Sequence, residues 1–208
     1  MYSKVSSVVL RGIDAEEISV ETDVAFGFPT FSIVGLPDTA IRESKERVRT
    51  AIVNSGFSFP AMRVTVNLSP AGVRKEGTHF DLPIALCILK SSGISAAAGI
   101  EEFVFIGELA LDGRINRING VLPMISGMLE CGIKKFVIPE GNRSEGAMVE
   151  NAEIYCAATL NDAVRFAMSG VGLEHVEFCA ADFEDTDDVP DFADVSGQEQ
   201  AKRALQIA

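Results

Sequence analysis

A polar loop, residues 72–79, contains residue types that could do chemistry. It follows a predicted strand and precedes a predicted helix, where free backbone N–H groups and a helix dipole converge. His79 is a residue type that serves as acid, base or ligand, but such a role needs a nearby carboxylate or thiol. Asp81 is two residues away and approaches His79 only in a non-helical turn. The simpler interpretation is a histidine that bonds the backbone, with Asp81 as helix cap or dipole partner.

The elements on either side of this loop must position it. Residues 63–68 alternate polar and apolar side chains, which is typical of a half-buried strand, and residues 69–72 break the pattern. Thr78 with Asp81 three residues later matches an S/T-x-x-D pattern, so we expect Thr78 to cap the next helix. Apolar residues at helical spacing predict that helix: Leu82, Ala85, Leu86 and Leu89.

Basic residues form the second group that could bind a ligand. Arg42, Lys45 and Arg49 recur at i, i+3 and i+7 and share one face of a predicted helix. The alternative is a solvated face with intrahelical pairs, since Glu43 lies four residues before Arg47. No aromatic residues interleave with these basic ones, so base stacking on single strands is not expected. The candidate nucleic-acid contacts are Arg42, Lys45, Arg49, Arg74, Lys75, Arg114 and Arg117.

The sequence lacks the patterns of several common sites. Neither G-x-x-x-x-G-K-[ST] nor G-x-G-x-x-G after a strand occurs, so no phosphate-binding loop is expected. The four cysteines, Cys87, Cys131, Cys156 and Cys179, form no CxxC pair, and the two histidines are remote from any cysteine pair. We therefore expect buried free thiols and no metal site.

The net charge of −12 is concentrated in one stretch. Residues 174–194 contain nine acidic residues and no Lys or Arg, so the first 173 residues carry only −4. The acidity of the chain therefore does not exclude nucleic-acid contacts by its body. No window approaches the roughly 18 consecutive apolar residues of a membrane span, and no signal-peptide core follows Met1. We expect no membrane association and a cytoplasmic location.

The order of predicted elements indicates an α+β or mixed α/β domain that ends near residue 170. Asp38 is the expected cap of the first helix, and Thr159 or Asn161 that of the last. Asp112-Gly113 predicts the turn of a hairpin over residues 103–118. Strands are expected at 4–10, 16–26, 31–35, 63–68, 135–139 and 154–157, and helices at 38–54, 82–89, 121–131, 143–150 (short helix or turn) and 160–168.

The last part of the chain differs from this domain. Residues 173–194 show no apolar periodicity, so we expect an acidic flexible linker. A helix pattern restarts within residues 195–208. A domain does not normally begin in its last dozen residues, so we expect a truncated piece of a longer protein.

Four segments follow one another in a distinctive order: Gly107–Arg114, Ile118–Gly120, Gly132–Lys135 and Val137–Pro139. They resemble the proteolytic domain of Lon-type proteases, which reads GE(I/L)-x-L-x-GR, a glycine pair, a helix, then GIK and a V-I-P strand. Lys75-Glu76-Gly77 is similar to the Lon loop that carries the nucleophilic serine.

Three further segments lie toward the two ends of the chain: Phe31–Asp38, Glu43–Arg49 and Asp191–Leu205. They resemble magnesium-chelatase-like AAA+ ATPases of the YifB/ComM family. The resemblance implies a Lon-like domain of the ribosomal protein S5 domain 2-like fold over residues 1–172, with a crossover of the uncommon left hand. It also implies that 173–194 link this domain to the start of an AAA+ module at 195–208.

The resemblance implies no peptidase activity and no cofactor for this fragment. Lon-type proteolysis needs a serine and a lysine able to lose its proton. Thr78, His79 and Phe80 stand where the serine should be, and the helix over 121–130 holds no lysine, so the Ser-Lys dyad is absent. ATP and Mg²⁺ are expected for the full-length protein, with the ATP site beyond Ala208. Val195, Gly197 and Gln198 match the family segment that borders the adenine pocket.

Two functions follow from the resemblance. In the first, the chain is a non-catalytic N-terminal accessory domain of a hexameric AAA+ motor that binds DNA and drives branch migration. Its partners are then its own AAA+ module in cis and DNA. In the alternative, it is a degenerate Lon-like domain that binds proteins in a chelatase-like or protein-remodelling complex.

Overall fold

A computed structural model describes residues 1–179 and 194–207 of the chain. Eight strands form a mixed sheet, and two more form a small separate ribbon. The strands are β1 (Tyr2–Arg11), β2 (Asp14–Ala25), β3 (Thr30–Val34), β4 (Arg63–Ser69), β5 (Phe103–Phe105), β6 (Glu108–Leu109), β7 (Ile115–Asn116), β8 (Lys135–Pro139), β9 (Glu153–Ala157) and β10 (Glu174–His175). The helices are α1 (Thr39–Asn54), α2 (Asp81–Ser91), α3 (Val121–Glu130), α4 (Arg143–Ala147), α5 (Leu160–Ser169) and α6 (Glu199–Ile207).

The main sheet has the order β10-β9-β8-β5-β1-β2-β4-β3. β1 pairs antiparallel with β2, β2 with β4, and β9 with β10. The neighbours β3–β4, β1–β5, β5–β8 and β8–β9 are parallel. The mixed α/β class expected from the sequence is confirmed, and β3 and β10 are the two edge strands.

Apolar side chains on the two faces of the sheet build two separate cores. Helices α1, α2 and α5 contribute to the larger core, and α3 to the smaller one. Residues 82–89 of α2 are all buried, because this helix packs against the sheet and against α1 and α5. On the other face α3 lies close to β2, where Gly127 faces Ala15. A side chain in place of Gly127 would collide with Ala15, so this glycine sets the helix-to-sheet distance.

Two helix starts follow the expected local chemistry. Asp38 caps α1, since its Oδ1 accepts the Ile41 N–H at 2.8 Å. Thr159 and Asp162 form a reciprocal capping box at the start of α5. Thr159 is therefore the cap, and the alternative cap Asn161 is not used.

Two expectations about local structure need correction. The hairpin expected over residues 103–118 is confirmed only in part: β6 and β7 pair across the turn at Asp112-Gly113, whereas the buried β5 joins the main sheet. Apolar strands buried on both faces belong in a sheet centre, which overrides the hairpin signal. Thr78 does not cap α2; it opens a 3₁₀ turn, Thr78–Phe80, and Phe80 precedes the helix without a side-chain cap bond.

The first residues of the expected linker, 173–179, are structured. β10 pairs with β9, Val176 is buried, and the Cys179 N–H donates to the Ala147 carbonyl at 2.8 Å. Residues 173–179 therefore pack on the domain, and 180–193 lie outside the described residues. Residues of α6 are exposed apart from the half-buried Lys202. The assignment of 195–208 to an AAA+ module stays a prediction.

Candidate nucleic-acid interface

The loop after β4 is held against the start of α1 by Asp38. While Asp38 Oδ1 caps the helix, its Oδ2 accepts the Gly77 N–H at 3.1 Å. The Asp38 N–H donates to the Lys75 carbonyl at 3.0 Å, and the Lys75 N–H donates to the Leu36 carbonyl at 3.2 Å. One carboxylate thus fixes both a helix terminus and the loop that the sequence singled out.

Lys75 is not available as a phosphate contact. Its side chain is buried, and its Nζ donates to the Pro70 carbonyl. Burial lowers the pKa of the Lys75 ammonium, because desolvation disfavours the charged form. The prediction that Lys75 faces a nucleic acid is therefore wrong. Because the loop packs against the start of α1, Lys75 is buried although the adjacent Arg74 is at the surface.

His79 is a structural residue, as the simpler interpretation expected. The imidazole is buried, and Nε2 lies 2.8 Å from the Val8 carbonyl oxygen. A carbonyl oxygen only accepts, so Nε2 carries the proton. Burial lowers the pKa of His79 to about 4, because the charged imidazolium would lose its hydration. The ring therefore stays neutral near pH 7 and ties the 3₁₀ turn before α2 to β1.

Asp81 forms an ion pair with Arg47, for which the sequence suggested Glu43 as the partner. Arg47 donates Nε to Asp81 Oδ2 at 2.8 Å and a terminal N–H to Oδ1 at 3.1 Å, and the Leu109 N–H also reaches Oδ2 at 3.3 Å. Desolvation raises the pKa of Asp81 to about 6, and the hydrogen bonds from Arg47 act in the opposite direction. The partner of Arg47 is thus Asp81, rather than Glu43 on the same helix.

The absence of a Lon-type Ser-Lys pair stays a prediction. Helix α3 contains Ser126 but no lysine. Lys75 has the lowered pKa that a catalytic amine needs, but the hydrogen-bond partner of its Nζ is a backbone carbonyl. Across residues 1–179 and 194–207 no cluster of His, Cys, Asp or Glu is suited to a metal ion.

The cysteines differ in exposure. Cys87 and Cys156 are buried, whereas Cys131 and Cys179 are exposed, so burial was predicted correctly for only part of the set. Desolvation raises the pKa of Cys87, and that of Cys156 to about 11. Buried thiols with raised pKa values are poor nucleophiles, so these two are packing residues.

The predicted basic contacts fall into paired and unpaired groups. Arg74 lies 2.9 Å from Glu76, Arg114 2.7 Å from Asp112, and Arg117 2.6 Å from Glu145. Such exposed pairs lower the local positive charge. We name the group Arg42, Lys45 and Arg49 the α1 stripe. None of the three makes an ion pair with any described residue. In the stripe Arg42 and Arg49 are exposed and Lys45 is half-buried.

The structure adds residues that the sequence reading missed. The Arg49 guanidinium lies 5.4 Å from the centre of the Phe59 ring, and Phe59 lies 5.4 Å from Phe31. Arg63, at the start of β4, is exposed and makes no ion pair within the described part of the chain. The expectation that aromatic residues do not accompany the basic ones is therefore wrong. One sequence signal could have pointed to this surface: residues 47–75, which include Arg49, Phe59 and Arg63, contain no Asp or Glu.

The residues expected to border an adenine pocket lie just before α6. Val195, Gly197 and Gln198 are all exposed, and the Lys202 N–H donates to the Gln198 carbonyl at 3.0 Å. Gly197 and Gln198 have φ values of 71° and 58°. Their role in nucleotide binding stays a prediction for a longer protein.

The comparisons with known proteins identify the family. The family model described as subunit ChlI of magnesium chelatase matches residues 20–142, which run from β2 to the turn after β8. The chain belongs to this family. No helix in residues 1–179 and 194–207 is long and apolar enough to cross a membrane.

Two relatives of this ChlI-family chain match nearly all of it. Competence protein ComM of Haemophilus influenzae is 38% identical over 213 residues, which cover 100% of this chain and 40% of ComM. YifB of Salmonella typhimurium is 35% identical over 196 residues, which cover 94% of this chain and 38% of YifB. A Lon protease of Lachnoclostridium phytofermentans is 26% identical over 115 residues, 53% of this chain and 14% of the protease. This chain spans about 40% of the length of the first two relatives.

Proposed function

We propose that this chain is a non-catalytic N-terminal accessory domain of a magnesium-chelatase-like AAA+ ATPase, and that the α1 stripe holds DNA for that motor. The observation that carries the proposal is the stripe itself. It consists of three cations on one helix face with no carboxylate partner among the described residues, in a chain of net charge −12. Membership of the ChlI family and similarity to a competence protein support it.

The geometry of the stripe suits a phosphate backbone. From Arg42 to Arg49 the helix rises about 10 Å, at about 1.5 Å per residue. That length matches about three phosphates of one DNA strand, which recur at about 3.4 Å along the axis. Arg74 lines the same surface depression as Arg42, so it extends the stripe when it leaves Glu76. Arg114 and Arg117 stay weaker candidates because each is paired.

The finer assignments belong to the same proposal. We place the domain in the ribosomal protein S5 domain 2-like, Lon-like class, supported by the partial match to a Lon protease. The full-length protein would bind ATP and Mg²⁺ in its own AAA+ module and act as a cytoplasmic hexamer in branch migration. No G-x-x-x-x-G-K-[ST] motif lies in this sequence, so the nucleotide chemistry is assigned to the rest of that protein.

Fluorescence anisotropy with labelled duplex DNA tests the proposal. The variant Arg42→Glu/Lys45→Glu and the control Arg114→Glu/Arg117→Glu change the net charge equally. We expect the α1 variant to lose at least about 10-fold in affinity, and its salt slope to fall by about 2, since each phosphate contact contributes about 0.9. The control should stay within about 3-fold of wild type.

Two results would contradict this proposal. Equal losses in both variants would mean that total charge, and not the α1 stripe, governs binding. No binding of wild type to DNA at low salt would leave the protein-binding alternative. The absence of peptidase chemistry has its own readout: hydrolysis of an unfolded protein that disappears in Lys75→Met would overturn the non-catalytic role.

A further inference from the structure

The β2–β3 loop presents two phenylalanine rings to solvent. Phe26 is 94% and Phe28 84% exposed, although other phenylalanines, such as Phe80 and Phe136, are fully buried. Single exposed apolar residues are ordinary, but two large rings two positions apart on one loop form a patch. Such patches on soluble domains mark surfaces that bind a partner.

Arginines flank these rings. In the sheet Arg63 is the register partner of Ala25 on one side and of Thr30 on the other, so it lies at the base of the loop that joins them. On the neighbouring α1 the Arg49 guanidinium stacks over Phe59. Arg49 and Phe59 line one surface depression with Pro29 at the end of the β2–β3 loop, so aromatic and guanidinium groups share this corner of the domain, where β3 is the edge strand.

Two sequence runs that build the corner contain no acidic residue, although Asp23 and Glu46 directly precede them. Residues 24–37 and 47–75 contain no Asp or Glu, although the chain has 30 acidic residues. The second run holds five basic residues: Arg47, Arg49, Arg63, Arg74 and Lys75. An apolar protein partner would require the rings but not the unpaired guanidinium groups. A polyanion with aromatic faces would use both, and that is the chemistry of a single-stranded nucleic acid.

We propose that Phe26 and Phe28 form a stacking platform for unpaired bases, with Arg63 and Arg49 contacting the backbone of the same strand. The platform rests on the proposed DNA role and deepens it, because it assigns the substrate class to strands that are not paired. Arg49 is shared with the α1 stripe, so the platform and the stripe adjoin.

Loss of the rings tests the platform by affinity. Phe26→Ala/Phe28→Ala should weaken binding of oligothymidine by at least about 10-fold, since stacking on an aromatic side chain is worth a factor of about 5 to 150 per base. Binding of an abasic oligomer of the same length, and of a blunt duplex, should stay within about 2-fold of wild type. Both residues are exposed, so the variant should retain the wild-type melting temperature.

A fluorescence experiment tests contact directly. The chain contains no tryptophan, so Phe28→Trp introduces a single reporter. Oligothymidine should quench its emission, and the abasic oligomer should not. Ile13→Trp is the matched control, because Ile13 is 85% exposed on the turn between β1 and β2. Parallel titrations with oligouridine measure whether the platform distinguishes DNA from RNA.

The outcomes separate this inference from the proposed function. Unchanged oligothymidine binding in Phe26→Ala/Phe28→Ala, together with loss in Arg42→Glu/Lys45→Glu, would overturn the platform and leave the DNA role intact. Equal quenching by the abasic oligomer would also overturn it. A concentration-dependent blue shift of the Phe28→Trp emission without nucleic acid would show that the rings cover a second protein copy instead. Absence of all DNA binding would refute both.

Discussion

Protonation of His79 should limit the acid stability of this domain. The imidazole is buried and its Nε2–H donates to the Val8 carbonyl, so the folded state holds the neutral ring. Its pKa falls from the ordinary 6.5 to about 4. Below pH 6.5 His79 therefore binds a proton in the unfolded chain but not in the folded chain. The free energy of unfolding falls as the pH falls.

The size of the effect follows from the two pKa values. Each pH unit between them is worth about 1.4 kcal/mol, so His79 removes about 2 kcal/mol by pH 5 and about 3 kcal/mol below pH 4. Asp81 acts in the opposite sense. Its pKa is raised from 3.8 to about 6, so the stability it contributes is present below 3.8 and lost as the pH rises through about 6.

Comparison with a variant isolates the histidine from Asp81. His79→Gln keeps a side-chain N–H for the Val8 carbonyl and does not titrate. We expect urea unfolding at pH 7.5, 6.5, 5.5 and 4.5 to show wild type losing about 2 to 3 kcal/mol relative to His79→Gln across this range. His175→Gln, which removes the other histidine from an exposed position, is the matched control. Parallel curves for wild type and His79→Gln would refute the reasoning.

Three further predictions concern the frame around the interface. Arg47→Met should cost about 3 kcal/mol in urea unfolding, because it leaves the buried Asp81 carboxylate without its counterion. The double variant Arg47→Met/Asp81→Asn should recover most of that loss, and no recovery would contradict the assignment of this ion pair. Asp38→Ala should lower the melting temperature and cost about 1 to 2 kcal/mol, since two backbone N–H groups lose their acceptor. Asp38→Asn should recover only about half of that loss, because its single amide oxygen can accept from Ile41 while its NH2 group cannot accept from Gly77. Gly35→Ala should cost more than about 2 kcal/mol in the same assay, because a Cβ there would lie 2.2 Å from the Leu68 carbonyl oxygen and φ is +100°. A neutral effect would mean that the junction between β3 and α1 can relax.

Local chemistry made much of the fold predictable. The alternating residues 63–68 form β4, and Asp38 caps α1 as its residue type and position indicate. The capping box at Thr159 is an equally local signal. These elements were predictable because their determinants lie within a few residues of one another.

Long-range pairing was the part that sequence reasoning could not supply. Arg47 and Asp81 are 34 residues apart, and a nearer glutamate offered a plausible but incorrect partner. Lys75 looked like a loop cation, yet docking of the loop against α1 buries it. Phe59 reaches Arg49 only because the loop after α1 folds back along the helix. Each case depends on which surfaces meet, which periodicity does not encode.

Strand β1 lies where the two cores meet, and this placement has a consequence for hydrogen exchange. It is paired on both sides, with β2 and β5, and it contributes Val5 and Val9 to the larger core and Val8 to the smaller. No opening of one helix layer alone exposes its amides to solvent. Deuterium should therefore enter the middle of β1 only when the whole domain unfolds, so its slowest amides report the global free energy of unfolding.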